Sequence, residues 1–177
     1  MAERAAAVVV LRFAEPIGFL CEKKSLPGGR APSLWVDLLC SKVALDGVLD
    51  DSFREKFQRF FESFFAVFDS DDADYLEQAL ADMLMLVNEM LLLLKGESEI
   101  WAVVGLARDW VFWWAEGDLD EAEEMVSVEE DARLIWHDGR VSRVLSDVSA
   151  ALEDGGNIYG FAEEARNDGR EITSWLK

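Results

Sequence analysis

The stretch Tyr75-Leu76-Glu77-Gln78-Ala79-Leu80-Ala81-Asp82-Met83-Leu84-Met85-Leu86-Val87-Asn88-Glu89-Met90-Leu91-Leu92-Leu93-Leu94-Lys95-Gly96 decides the fold class. Leu76, Leu80, Met83, Leu84, Val87, Met90, Leu91 and Leu94 recur at three- and four-residue spacing, which places them on one wide helical face. Leu86 and Leu93 fall on the other side, beside Asp82 and Glu89. A helix that is apolar nearly all round is central in its domain or buried in an interface. Its ends are marked as well. Asp74 and Glu77 have the spacing of a capping box, in which each side chain satisfies an amide of the other. Gly96 stands where a helix stops in the left-handed conformation, and Lys95 complements the negative end of the helix dipole.

The same grammar extends in both directions. Upstream, Ser52 and Glu55 suggest a second capping box, and Phe53, Phe57, Phe60, Phe61, Phe64, Phe65 and Phe68 predict a helix over 53–68. Asp69 to Asp74 reads as the turn that follows. Ser33 can cap a helix carrying Leu34, Trp35, Leu38, Leu39 and Val43. Downstream, a helix is expected from Glu97 or Ser98 to Glu116, ended by Gly117. A short one is expected over Asp118–Val126, and another from the capping box Ser127–Glu130 to Trp136, closed by His137-Asp138-Gly139. Val141 to Leu152 suggests a helix stopped at Gly155-Gly156. Ile158 to Asn167 suggests one reaching Gly169, with a final turn over Glu171–Leu176.

The segment 1–32 is read as irregular. Ala5 to Leu11 mixes helix-favouring Ala with strand-favouring Val, so a hairpin of Val8–Phe13 with Phe19–Glu22 and a first helix ending near Ala14 stand as alternatives. The expected fold is mainly all-α. It is one multi-helix domain over 1–177, orthogonal or bundle-like, of about seven or eight helices, with a small N-terminal β-element as the open point and 33–177 as the helical body. The 75–95 helix is expected in its middle.

Charge is the second signal. The chain of 177 residues has a formal net charge of −19. Residues 1–45 carry 4 acids and 6 bases, residues 46–131 carry 24 acids and 5 bases, and residues 132–177 carry 8 acids and 6 bases. The middle segment therefore holds the whole imbalance. Such a surface repels phosphate backbones and anionic lipid, and it accelerates encounters with basic partners. Solubility and adaptation to high salt are competing reasons for the same acidity.

Few residues of the chain suggest chemistry. His137 is the only histidine, so a two-histidine zinc site is excluded. A cationic side chain at the end of the expected helix accounts for it. Asp69-Ser70-Asp71-Asp72-Ala73-Asp74 begins like a calcium loop but lacks glycine at its sixth position and has Leu80 where the bidentate glutamate belongs. Gly28-Gly29 and Gly155–Gly160 lack the lysine of a phosphate loop. Cys21 and Cys40 read as reduced cytoplasmic thiols, with a bridge between them as the alternative. No apolar run reaches the roughly 20 residues of a membrane span. No catalytic, cofactor or metal residue is assigned, and a non-enzymatic protein is expected.

One constellation remains. Trp110, Phe112, Trp113 and Trp114 cannot all face one core, because neighbouring residues on a helix point about 100° apart. Directly after them, Glu116, Asp118, Asp120, Glu121, Glu123, Glu124, Glu129, Glu130 and Asp131 contain no base between them. Core packing and a solvated face explain both features, yet rings bordered by carboxylates also suit a basic partner. Charge would set the encounter rate and buried rings the slow release. The expected partner-binding set is Trp110, Trp113, Trp114 and those nine acids. The expected function is to bind and neutralise a basic protein in the cytoplasm. Bacterial immunity proteins, which cover the basic active sites of toxins, are similar in character, although no motif ties the chain to them. A DNA mimic, a metal-dependent enzyme using carboxylates such as Asp82, Glu89 or Asp109, and a chaperone or homo-oligomeric scaffold are the competing expectations.

Overall fold

The computed structural model of the protein describes residues 4–12, 51–120, 132–155 and 158–175. Among these residues the chain forms six helices and no strand: α1 (4–12), α2 (Asp51–Phe65), α3 (Tyr75–Lys95), α4 (Ile100–Asp120), α5 (Ala132–Glu153) and α6 (Tyr159–Trp175). The all-α reading holds. Over residues 8–12 the strand alternative is overturned, because they belong to α1. The other half of that hairpin, Phe19–Glu22, the helix after Ser33 and both cysteines lie outside the described residues.

The core begins in α1. Residues 5–12 are buried on every side. Ala5 to Leu11 contains no polar side chain, and a helix without a polar face is stable only when enclosed. α3 is enclosed less completely. Leu80, Met83, Leu84, Val87 and Met90 are buried, as are Leu86 and Leu93. However, Gln78, Asp82, Met85, Glu89 and Leu92 form a strip, spaced three and four apart, that is exposed or half-buried. Packing on both flanks of that strip takes Leu86 and Leu93 out of water.

The ends of α3 follow the sequence closely. The Asp74 amide donates to Glu77 Oε2 at 3.0 Å, and the Glu77 amide donates to Asp74 Oδ1 at 3.1 Å. At the other end the Gly96 amide donates to the Leu93 carbonyl and the Glu97 amide to the Leu92 carbonyl, both at 3.0 Å, with Gly96 at φ 74°. This pair of bonds satisfies carbonyls the helix leaves open, and the left-handed residue between them is the conformation glycine adopts without strain. Asp69 Oδ1 accepts the Asp71 amide at 3.1 Å, so the acidic turn is held by its own side chain.

In α2, Phe53, Phe57 and Phe64 are buried, and Phe61 and Phe65 meet with ring centroids 4.6 Å apart. The helix opens at Asp51, so Ser52 already lies within the first turn instead of capping it. It closes at Phe65, earlier than expected. The Phe68 amide still donates to the Phe64 carbonyl at 3.0 Å, and the two rings stack at 5.3 Å.

Three expected helix stops are absent. α4 runs through Gly117 to Asp120, α5 runs through Gly139, and α6 runs through Gly169. An interior glycine costs about 1 kcal/mol relative to alanine, which tertiary burial readily outweighs. Leu134, His137, Val141, Val144 and Val148 make one buried seam along α5, uniting two expected helices. Only Gly96 and Gly155, among the described residues, have positive φ, and there the helices do stop. The box Ser127–Glu130 and residues 121–126 lie outside the described residues, while 118–120 continue α4.

Candidate functional site

The expected partner surface is only partly described. Trp110, Trp113, Trp114, Glu116, Asp118 and Asp120 lie on the backbone of α4, and their side chains are outside the described set. Glu121, Glu123, Glu124, Glu129, Glu130 and Asp131 fall wholly outside it. The topology nevertheless places their anchors. α3 and α4 are helices of 21 residues, about 30 Å long. The four residues 96–99 join them, and so short a connection makes antiparallel neighbours. On that topology the start of α3 and the end of α4 would share one pole of the molecule.

That pole also carries the turn between α2 and α3. Asp69, Asp71, Asp72 and Asp74 are exposed there and Glu77 is half-buried, with no base among residues 66–77. By residue type and spacing alone these acids belong to a turn and a cap, with nothing local to link them to the acids from Glu116 onward. The two runs lie some 40 residues apart in the chain, and an antiparallel hairpin would bring them together. A small cleft of about 180 Å³ opens in the turn, lined by Phe64, Val67 and Phe68 together with Asp69, Asp72 and Glu77. Val67 is 75% exposed.

Elsewhere the charges are balanced and partly interior. The Arg12 guanidinium, at the end of α1, meets Asp168 of α6 at 2.9 Å, and both are buried. Arg140 of α5 lies 3.9 Å from Asp168 and 3.0 Å from Glu164, which Arg143 also reaches at 3.1 Å. Arg108 of α4 joins Asp138 of α5 at 3.2 Å. Burial is the largest influence on both members of the inner pair. It lowers the Arg12 pKa despite Asp168, and it raises that of Asp168 despite Arg12 and Arg140. Loss of water thus outweighs mutual attraction, as is usual for interior ion pairs. Nothing in the sequence pattern paired Arg12 with Asp168. The one signal is a charge placed directly after seven apolar residues.

His137 is corrected from a cationic helix end to an interior residue of α5. It is fully buried, and burial, with Arg12 and Arg108 nearby, lowers its pKa to about 3. A neutral imidazole in the seam cannot act as a surface proton carrier at neutral pH.

The carboxylates considered for acid–base work are engaged separately. Asp82 accepts from Gln78 Nε2 at 3.0 Å, and Glu89 accepts from the Ser98 hydroxyl. They are seven residues apart on α3, about 10 Å along its axis. Burial raises the Asp82 pKa, against the opposing bond from Gln78. Asp109 is exposed on α4. Among the described residues no three histidine, cysteine or carboxylate side chains gather in a metal-binding group, and no helix is long and apolar enough to cross a membrane. Compared with protein-family models, with curated proteins and with solved structures, the chain matches none.

Proposed function

We propose that the protein is a non-enzymatic binder of a basic protein, acting in the cytoplasm in the manner of the immunity proteins that silence toxins. Its recognition surface is the acidic pole. What supports the reading is where the acids fall on the fold: they crowd residues 69–77 and 116–120, the four-residue link between α3 and α4 favours an antiparallel pair that would bring both runs to one end, and the cleft in the turn is lined by Phe64, Val67 and Phe68 as well as by Asp69, Asp72 and Glu77. A concentrated field raises encounter rates more than the same charge spread evenly, and apolar contact prolongs the complex. A DNA mimic would instead set its acids along an extended surface, which the gathering at one pole does not favour.

The test starts from a partner captured from native lysate at low salt and identified. Association with that partner is then followed against ionic strength for the wild-type chain and for a variant carrying Asp69→Lys, Asp72→Lys, Glu116→Lys and Asp118→Lys. The expected result is an on-rate about tenfold or more lower at low salt, with a flattened salt dependence. An on-rate that ignores the four reversals would sink the proposal.

A further inference from the structure

The opposite pole holds a larger cleft, of about 640 Å³, between the first half of α2 and the last turns of α3. Its volume is that of an ordinary small-molecule site. Leu91 and Leu92 form an apolar wall, and Arg54, Arg59 and Lys95 stand around it. Between residues 46 and 131 the chain has only five bases against 24 acids, and three of the five line this one cleft.

What those bases do is more telling than their number. In a chain with 36 acids and 17 bases, attraction should find each cation a carboxylate. Among the described residues, Arg59 forms no ion pair. Its Nε is turned to the Glu55 carbonyl at 3.3 Å. Lys95 forms none either. Arg54 approaches Asp51 only at 3.9 Å, at the outer limit of a salt bridge, and its buried Nε has no hydrogen-bond partner. Of the acids in the cleft, Asp51 faces Arg54, and Glu55 is left against two unpaired cations. Counted over the described residues, the lining therefore has a net charge of +1, inside the most acidic segment of the protein.

We propose that this cleft binds a small amphipathic monoanion, a carboxylate head with an aliphatic tail. The head would lie among Arg59, Lys95 and the guanidinium of Arg54, where charge-assisted hydrogen bonds replace the missing carboxylate partners. The tail would lie along Leu91 and Leu92. Charge selects the head, because a cation would meet three like charges. The wall selects the tail, because every methylene it takes out of water adds to the affinity. The site is independent of the acidic pole, and neither proposal requires the other.

Isothermal titration of the full chain at low salt tests this directly, with octanoate as the probe and acetate, inorganic phosphate and octylammonium as controls. Octanoate is expected to bind one to one. Acetate and phosphate, which lack the tail, and octylammonium, which reverses the head, are each expected to bind at least about tenfold more weakly. The double variant Arg59→Gln, Lys95→Gln is expected to lower octanoate affinity about tenfold while its circular dichroism and melting temperature stay near those of the wild type. Leu92→Asn should weaken octanoate and leave acetate unchanged. The proposal is overturned if octanoate produces no saturable heat, if octylammonium binds as well as octanoate, or if the folded double variant binds octanoate as tightly as the wild-type chain.

Discussion

Arg12 and Asp168 stand 2.9 Å apart with almost no access to water, and their roles follow from that loss. Removing one member leaves the other charged and buried, so Arg12→Ala is expected to destabilise the protein by about 3–5 kcal/mol in urea unfolding. The paired replacement Arg12→Met with Asp168→Leu removes both charges and should recover most of that loss. Equal costs for the single and double variants would contradict this account. His137 gives a pH signature at the same scale. It titrates near 6.5 when unfolded and near 3 when folded, so between those values only the unfolded chain holds the extra proton. Stability therefore falls as pH drops below about 6.5, by up to about 1.4 kcal/mol per unit. Asp168 acts in the opposite sense, since a raised carboxyl pKa favours the folded state at low pH and loses that effect as pH rises. Comparing wild type with His137→Leu between pH 6.5 and 5 isolates the histidine, and the variant is expected to show the flatter slope.

At the scale of the helix, glycines of two kinds are distinguished by what surrounds them. Gly96 closes α3 at φ 74°, a conformation that costs a side-chain-bearing residue roughly 1 kcal/mol, so Gly96→Ala should lower stability by about that much. Gly139 lies within α5 with nothing near the position a Cβ would take. Gly139→Ala should therefore stabilise by about 0.5–1 kcal/mol, read from the midpoint of thermal unfolding. The contrast also explains which boundaries the sequence displayed. Asp74 with Glu77 and Lys95 with Gly96 state their bonds in residue type and spacing, and both ends of α3 fall where those residues put them. Gly117, Gly139 and Gly169 have the composition of a stop but none of its hydrogen bonds. Whether a helix crosses a glycine depends on the burial awaiting its next turn, which is information held by the neighbouring helices.

For the molecule as a whole, the disposition of charge is the physical property most open to measurement. A net charge of −19 places carboxylates in mutual repulsion, most strongly within residues 46–131, which hold 24 acids and 5 bases. Screening should relieve it. The melting temperature is expected to rise by several degrees between low salt and about 0.5 M sodium chloride, where the Debye length shrinks to a few ångströms. A melting temperature independent of salt would mean the acids are too dispersed to repel, and would weaken the case for a recognition pole.

The sequence by itself determined the helical class, both ends of α3, the phenylalanine face of α2 and the concentration of acid in the middle of the chain. Each depends on residues within a few positions of one another, and periodicity or local capping suffices to read them. Tertiary structure alone decided that α1, not α3, is the fully enclosed helix, that His137 is a neutral core residue and that Arg12 finds Asp168. It also decided that three bases, two of them without an ion pair among the described residues, line one cleft. The physical reason is the same in every case: burial and charge are summed over neighbours in space, and those neighbours come from helices far apart in the chain.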